Sequence, residues 1–446
     1  MMGEKNKTIK VLTFSIINVV VLSFGHALGI SALQLLSIGM FGAIAVFSPR
    51  KYYLPIMIFY LPWSSLLRTS PGMSSFHSIV SLLMLVLVTM EWLKKNPDLS
   101  GGYFPVAIVF VAYTLTVKLF NMLPLEPPYI FFMAMVFFIP IYLRVYGGEL
   151  KFETMMLFLA IGNLSTCIAA TIMIDNPNIL PFMDINDEMA VGIRFSAFYS
   201  DPNYFSAQML VAIAGLMIIL TKTKKKKLVL PLIALIIALI YYALQSVSKA
   251  FILSATVILI LWIFNLLIGK RSASFKIYLI LSVGAAIVFA VNQEILIEQV
   301  EFYLLRFGRV SDVSSLTTGR VNLWDVYLDY LMINTEKLIF GIGLSEDQLI
   351  SLLNTNNAHM TLIQMLYQIG VIGLMMIVFW WKSVYTSFMS KSKLIYSDWI
   401  NMGILGIAII MPWFGLDVLY FREFFYFPVI LLTMRKYLVQ NSYEKA

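Results

Sequence analysis

The chain has 446 residues, of which 60% are hydrophobic and only 13% are charged. This composition excludes a water-soluble globular protein, because a soluble fold cannot remove that much apolar surface from water. The formal net charge of +8 does not indicate nucleic acid binding, because the basic residues alternate between loops as membrane topology requires. We therefore predict a polytopic, all-α membrane protein that binds no nucleic acid.

Apolar runs of about 17–25 residues recur along the chain, which is the length that a helix needs to cross a bilayer. The first run is interpreted as a retained helix and not as a cleaved signal peptide, because further apolar runs follow at once. Pro55 and Pro62 predict a break in the third run, and the last two runs are short enough to form a hairpin, so we expect about 12–14 transmembrane helices. The predicted crossing segments are residues 11–25, 28–47, 52–66, 76–93, 103–120, 129–143, 154–174, 203–221, 228–246, 250–268, 277–292, 360–381, 400–416 and 420–434.

Lysine-rich loops alternate with acidic loops along this series of helices. With a cytoplasmic N-terminus, most of the 32 basic residues, including the run KTKKKK at 222–227, fall on the cytoplasmic side, and the C-terminus lies there too. The outer loops hold few basic residues, yet most of these are arginines, whose planar donors suit phosphate or carboxylate. Pairing with outer acidic residues is the alternative role for them. The outer arginines are Arg68, Arg194, Arg306, Arg309, Arg320 and Arg422.

The predicted helices divide the chain into three regions. Residues 1–292 hold the first eleven transmembrane helices. Residues 293–359 form one large extracytoplasmic loop, which opens with the pattern of an amphipathic helix at 294–310. Residues 360–446 hold the C-terminal transmembrane helices and a cytoplasmic tail. Because most other outer loops are short, any chemistry is expected on the outer side.

The stretch RFSAFYSDPNYFSAQ, residues 194–208, places polar residues between two apolar runs. Asp201 and Pro202 are typical of a helix start, with the aspartate as the cap and the proline in the first turn. That role does not explain Arg194 or Asn203. Arg194 could pair with an acidic neighbour, or it could hold an anionic head group beside the helix N-terminus, where backbone N–H groups also favour anions.

Further basic residues lie in the next outer segments. Lys249, in QSVSKAF, is held at the outer surface by a short turn, where an ordinary snorkelling lysine is the alternative. Arg306 and Arg309 follow the amphipathic pattern at i, i+3 spacing. In TTGRVNLW, Arg320 lies in the first turn of a predicted helix and shares a stripe with Trp324. A cation there is electrostatically unfavourable, so Arg320 needs an anion, either an acidic side chain of the loop or a ligand phosphate.

His359 lies at the mouth of a late helix in NNAHMTLIQMLYQIGVIG, followed by Gln364 on that helix. A purely structural histidine is the alternative to a catalytic one. The sequence has three scattered histidines, one cysteine, and no HExxH, DxD or phosphate-loop motif. We therefore expect neither a metal ion nor a cofactor.

The order and spacing of R…DPN, SVSKAF, TTGRVNLW and AHMTLIQMLYQIGVIG resemble the O-antigen polymerase and O-antigen ligase superfamily of bacterial integral membrane glycosyltransferases. The resemblance spans roughly residues 190–375. It implies a GT-C-like fold and metal-independent transfer from a polyprenyl-diphosphate-linked glycan, such as an undecaprenyl diphosphate, at the outer face of the bacterial cytoplasmic membrane. It also makes a chain-length regulator and a flippase candidate partner proteins.

The resemblance implies that arginines hold the diphosphate and that a histidine lies near the acceptor. Lys249 stands where arginine is common, so its contact must be looser, and Met360 stands where a polar residue is common. The expected catalytic residues are His359, Arg194 and Arg320, the expected diphosphate-binding residues are Arg194, Lys249, Arg306, Arg309 and Arg320, and the expected supporting residues are Asp201, Asn203, Trp324 and Gln364.

Three functions stay open at this point. The first is a polymerase that joins lipid-linked repeat units of a capsule, exopolysaccharide or O-antigen. The second is a ligase of the same superfamily, which moves finished glycan to a lipid, protein or wall acceptor. The third is a flippase or transporter of lipid-linked sugars, which predicts charges lining the bundle and internal inverted repeats that the sequence does not display.

Overall fold

The structure is a computed structural model of the chain. It describes residues 2–69, 75–94, 101–183, 186–188, 192–199, 201–268, 284, 294–308, 310, 317, 319–345, 357–389, 394–419 and 421–443.

The described part of the chain is built almost entirely of helices, and ten of its segments are long and apolar enough to cross a membrane. These ten lie in α1, α4 to α10, α14, and α15 with the turn after it. This confirms a polytopic helical bundle. The helices are α1 (Met2–Ala27), α2 (Ser31–Phe47), α3 (Tyr53–Tyr60), α4 (Phe76–Lys94), α5 (Tyr103–Phe120), α6 (Pro127–Tyr146), α7 (Phe152–Ile172), α8 (Pro202–Lys222), α9 (Lys226–Leu244), α10 (Lys249–Ile268), α11 (Glu294–Gly308), α12 (Arg320–Ile333), α13 (Thr335–Phe340), α14 (Thr361–Phe388), α15 (Tyr396–Ile410) and α16 (Glu423–Tyr443).

Four of the fourteen predicted crossing segments differ from the rest. The segment predicted at 28–47 is α2, which has only 17 residues, and the one at 420–434 is α16, which is not among the ten apolar spans. The segment at 277–292 lies outside the described residues apart from Gly284. The segment at 52–66 is the broken one.

The third run is broken at Pro62. Pro55 lies in the first turn of α3, where a proline is tolerated. Only α3 is α-helical there, and one turn of 3-10 helix lies on each side, at Arg50–Tyr52 and Leu61–Trp63. A proline inside a helix removes an N–H and clashes with the preceding turn. Every residue of α3 is buried, and a Cβ at Gly162 of α7 would collide with the carbonyl oxygen of Phe59. The short helix therefore packs deep in the bundle.

The bundle has two ends, a site end and a lysine end. The site end carries the connections between α3 and α4, α7 and α8, α9 and α10, and α15 and α16. The lysine end is the opposite end, where residues 222–227 join α8 to α9. Helix α8 runs between the two ends and is the most buried of the ten spans. The side chains at the start of α8 are therefore held in fixed positions at the site end.

A break in α14 anchors the segment that follows α13. Gly370 has φ of 64°, which interrupts the helix, and the carbonyl groups left unpaired there are satisfied from outside. The N–H of Ile342 donates to the Tyr367 carbonyl oxygen at 3.0 Å, and the N–H of Gly343 donates to that of Gln368 at 2.8 Å. The segment 341–345 is therefore tied to the bundle by backbone hydrogen bonds.

The described parts of 293–359 also pack at the site end. The helix predicted at 294–310 is α11, and the hydroxyl of Tyr303 donates to the Leu244 carbonyl oxygen at 3.1 Å, beside the turn between α9 and α10. Helix α12 packs on α14, where the rings of Tyr327 and Tyr367 meet edge to face with centroids 5.0 Å apart. Arg320 and His359 are brought onto the bundle by these contacts.

Candidate functional site

The start of α8 has the predicted cap. Oδ1 of Asp201 accepts a hydrogen bond from the N–H of Asn203 at 2.6 Å, and Pro202 occupies the first turn. This bond satisfies one of the N–H groups that a helix start leaves open. It also holds the Asp201 carboxylate at the site end of the most buried span.

Arg194 joins this helix start to the turn between α9 and α10. It ends the second strand of a short antiparallel hairpin, β1 (Asn186–Glu188) and β2 (Gly192–Arg194), and its side chain is buried. Its Nε donates to the Ser246 carbonyl oxygen at 2.9 Å, and its Nη2 donates to Oδ1 of Asn203 at 3.2 Å. These two bonds position the guanidinium group on the protein.

Ser248 completes this network and was not predicted. Its hydroxyl donates to the same Oδ1 of Asn203 at 2.9 Å, and its Oγ accepts from the N–H of Phe251 at 3.3 Å, as a cap of α10. Its place directly before a helix was a usable signal, because serine is a favoured cap. Asn203, which the capping role alone did not explain, therefore links two of the sequence motifs.

Arg320 begins α12 after Gly319, which has φ of 80°. Burial lowers the pKa of Arg320, the Asp201 carboxylate raises it, and Arg194 lowers it. The guanidinium therefore lies near both Asp201 and Arg194. An acidic side chain of its own loop was one expected partner; among the described residues, the carboxylate that acts on Arg320 is that of Asp201, the cap of α8. Gly415 leaves room for the side chain, because a Cβ there would lie 2.8 Å from Nη1 of Arg320.

The backbone at His359 is held from both sides. His359 has φ of 48°, a left-handed conformation that non-glycine residues rarely adopt. The carbonyl oxygen of Ala358 accepts from Nε1 of Trp324 at 2.9 Å, and its N–H donates to Oε1 of Gln364 at 3.2 Å. Two of the four predicted supporting residues, Trp324 and Gln364, thus act on the backbone beside the histidine. Thr361, which was not predicted, donates through its hydroxyl to the Leu416 carbonyl oxygen at 2.7 Å.

The electrostatic surroundings of His359 connect it to the arginines. Burial lowers the pKa of His359, Arg320 lowers it further, and the Asp201 carboxylate raises it. The imidazole is therefore neutral at neutral pH, which is the form that accepts a proton. The structure thus brings together three predicted catalytic residues, Arg194, Arg320 and His359, around Asp201.

Tyr204 is a further residue of this site that the sequence did not single out. It lies one turn beyond Asp201 on α8, within electrostatic range of Arg320, and its hydroxyl donates to the Asp417 carbonyl oxygen. Its ring stacks on Phe421 with centroids 4.4 Å apart. A tyrosine in an apolar helix gives no sign of this role until the turn between α15 and α16 is placed against it.

The remaining predicted phosphate ligands are Lys249, Arg306 and Arg309. The Nζ of Lys249 is 6.0 Å from the ring centroid of Phe307, so the lysine faces α11. Arg306 lies in α11 with its side chain outside the described part of the structure, and Arg309 lies wholly outside the described residues. Binding of a diphosphate by these three residues stays a prediction.

The chemistry of the described site favours an anion. Two guanidinium groups, one carboxylate and one neutral imidazole give it a net positive charge, and guanidinium donors match phosphate oxygens. Among the described residues, no group of three or more His, Cys, Asp or Glu side chains could hold a metal ion. No protein-family model matches the chain, and no curated protein matches it either.

Proposed function

We propose that this protein is a metal-independent glycosyltransferase with a GT-C-like fold that polymerises polyprenyl-diphosphate-linked oligosaccharide repeat units at the outer face of a bacterial cytoplasmic membrane. The product would be a capsule, an exopolysaccharide or an O-antigen. One observation carries the proposal: Arg194, Arg320 and His359, from three separate segments, meet around Asp201 at one end of an apolar helical bundle.

The arginines serve the leaving group in this proposal. Transfer breaks the bond between the sugar C1 and the phosphate oxygen, and the electron pair leaves with the polyprenyl diphosphate. Negative charge therefore grows on the diphosphate, and fixed guanidinium donors stabilise it more strongly in a partly buried site than in water. Arg194 is already oriented by Ser246 and Asn203, so little reorganisation is needed during the reaction.

His359 serves the acceptor. A sugar hydroxyl attacks C1, and its proton passes to the neutral imidazole, which is the role of a general base. Binding of the diphosphate next to Arg320 would offset the positive charge that lowers the pKa of His359. The imidazole would then become a stronger base when the donor is in place, so binding and proton transfer would be coupled through Arg320.

The lipid part of the substrate accounts for the position of the site. A polyprenyl chain stays in the bilayer, so its diphosphate is presented at the membrane surface. The ten apolar spans supply the membrane-embedded frame, and the connections at the site end supply the polar groups. Cytoplasmic termini and an outward-facing site belong to the same proposal.

The test is the surface polysaccharide of cells that depend on this gene. His359→Ala and Arg194→Ala variants are expressed in a deletion strain beside Arg144→Ala, an exposed arginine at the lysine end. We expect loss of the long-chain ladder in the first two variants and a normal ladder in the third. Long chains in all three variants would reject the proposal, and accumulation of free finished polymer in the deletion strain would indicate the ligase reaction instead.

A further inference from the structure

A second pair of arginines lies at the site end. Arg68 is on the segment that follows the broken helix α3, and Arg422 directly precedes α16. They are far apart in sequence, yet their guanidinium groups lie close enough for their positive charges to repel each other. Glu423 is the carboxylate that acts on Arg422. This cluster is called the Arg68–Arg422 pair below.

The hydrogen bonds of this pair are incomplete among the described residues. Nη2 of Arg422 donates to the hydroxyl of Ser78, and its Cζ lies 5.7 Å from the ring centroid of Phe131. Among the described residues, the Nε atoms of Arg68 and of Arg422 are both buried without a hydrogen-bond partner. Most buried N–H groups in proteins have a partner, and leaving one unpaired is costly. Two buried donors on neighbouring cations therefore call for an acceptor with negative charge.

Glu423 does not complete the pair. Its Oε1 accepts a hydrogen bond from Nε2 of Gln208, while its Oε2 is buried with no partner among the described residues. One carboxylate thus stands beside two guanidinium groups, which leaves the cluster with a net positive charge. Gln208 and Glu423 also line a narrow cleft between α8 and the turn after α15, whose other walls are largely apolar.

The Arg68–Arg422 pair is separate from the first site but adjacent to it. The stacked rings of Tyr204 and Phe421 connect the two along the chain, since Tyr204 lies one turn beyond Asp201 on α8 and Phe421 directly precedes Arg422. Helix α8 contributes to both groups: its cap, Asp201, lies at the first site, and Gln208 lies at the second. Two cationic groups thus lie at the same end of the bundle, linked by one aromatic stack.

We propose that the Arg68–Arg422 pair is a second phosphate site, which binds the diphosphate of a second polyprenyl-linked glycan. This inference rests on the proposed function. A polymerase joins two chains that each carry the same lipid diphosphate, so it needs two such sites close together, whereas transfer to an unrelated acceptor needs only one. Paired guanidinium groups match the oxygens of a diphosphate in charge and in geometry.

Ligand stoichiometry on the purified full-length protein tests the inference. Binding of farnesyl diphosphate, a short polyprenyl diphosphate, is measured in nanodiscs of uncharged lipid for wild type, Arg68→Gln, Arg422→Gln, Arg320→Gln and the control Arg144→Gln. Because Arg422 also contacts Ser78, its loss could disturb folding, so Arg68→Gln is the principal variant and the melting temperature of each variant is recorded.

The wild type and Arg144→Gln are expected to bind two equivalents. Arg68→Gln and Arg422→Gln should each keep binding at the first site and weaken binding at the second site about tenfold or more, because each loses one charge-assisted hydrogen bond. Arg320→Gln should weaken binding at the first site and keep binding at the second. Arg68→Lys, which retains the charge, should recover part of the binding. Inorganic pyrophosphate that competes as well as the lipid form would overturn a site for a second lipid-linked substrate.

Two other outcomes separate this inference from the proposed function. A single equivalent that Arg320→Gln abolishes and Arg68→Gln leaves intact would overturn the second site while leaving the proposed function standing. A single equivalent lost in Arg68→Gln but kept in Arg320→Gln would contradict both the two-site arrangement and the assignment of Arg320 to the diphosphate.

Discussion

The two ends of the bundle both bury positive charge, but they neutralise it differently. At the lysine end, the buried Lys222 meets the buried Asp398, and Arg50 meets Glu91. At the site end, Arg194 donates to a carbonyl and an amide oxygen, and Arg320 is influenced by Asp201 and by Arg194 itself. A buried cation that pairs with a carboxylate of its own is neutralised within the fold and needs no ligand. Neighbouring cations with a shared carboxylate are explained better by a ligand that brings negative charge.

A buried ion pair of the structural kind also lies at the site end, so the contrast does not hold for every cation there. Lys118 has no exposed surface, donates to the Leu344 carbonyl oxygen and lies 3.6 Å from Glu126, which accepts from the Ser345 hydroxyl at 2.7 Å. This pair joins the connection after α5 to the segment anchored at the break in α14. It is a structural pair of the kind found at the lysine end.

The strongest test of the contrast is His359→Gln. Loss of a general base is expected to lower the turnover of purified protein by about 10²–10⁴-fold with little change in melting temperature. His26→Gln is the matched control, because the Nε2 of His26 bonds to the Leu66 carbonyl oxygen at 2.7 Å and an amide can replace it. Equal turnover in the two variants would make His359 a structural histidine.

Substitutions of Lys222 and Asp398 should lower stability and leave turnover almost unchanged, which is the opposite of the effect expected for His359→Gln. Lys222→Met or Asp398→Asn alone leaves one buried charge uncompensated, and the expected loss is about 3–5 kcal/mol of unfolding free energy. The double variant should recover most of that loss. Unfolding in detergent by a denaturant measures the change, while turnover per folded molecule should stay near that of wild type. A loss of turnover without a loss of stability would contradict a purely structural role for the Lys222–Asp398 pair.

Arg320→Gln should weaken transition-state stabilisation. Removal of one donor from a developing oxyanion typically lowers turnover by about 10²–10³-fold. Arg320→Lys keeps the charge but not the fork of donors, so its turnover should lie between that of wild type and Arg320→Gln. Steady-state kinetics with a lipid-linked donor measures both. Wild-type kinetics in Arg320→Gln would remove this arginine from the reaction.

Gly415→Ala tests the placement of the Arg320 side chain without altering any charge. The new Cβ would stand 2.8 Å from Nη1 of Arg320 and displace a flexible side-chain end, so we expect about a tenfold loss of turnover and almost no loss of stability. Gly406→Ala is the control, because a Cβ there meets nothing within 4 Å. Identical turnover in the two alanine variants would contradict this placement.

The smallest expected effect is a shift of the pH profile. Because the pKa of His359 is lowered, kcat/KM should fall tenfold per pH unit only below a midpoint under the usual histidine value of about 6.5. Arg320→Gln should move that midpoint upward. For the same reason, His359 lowers the free energy of unfolding only as the pH falls from about 6.5 to its folded pKa, not above that window. A midpoint that does not move in Arg320→Gln would show that Arg320 does not influence the pKa of His359.

Hydropathy and capping rules predicted most of the frame from the sequence. The spans α4 to α10 begin within a few residues of the predicted segments, and Asp201 caps α8 as expected. These features depend on local sequence, since apolar length and a capping side chain are properties of one segment.

Contacts between distant segments could not be predicted in this way. Whether Asn203 meets Ser248, or Arg68 meets Arg422, depends on how the connections pack at the end of the bundle. The break at Gly370 is a similar case, because it is stable only with the backbone of 342–343 in place. Motif order indicated one site, but only the packing showed that Asp201, which caps α8, accompanies Arg320.

Turnover of the purified wild-type protein with a lipid-linked repeat unit tests the central claim most directly. In nanodiscs without added metal, glycan chains should lengthen and one polyprenyl diphosphate should be released for each unit added. His359→Gln should slow both events by about 10²–10⁴-fold while still binding the donor. Intact donor with no released diphosphate in the wild type, although the protein binds the lipid and is folded, would contradict it.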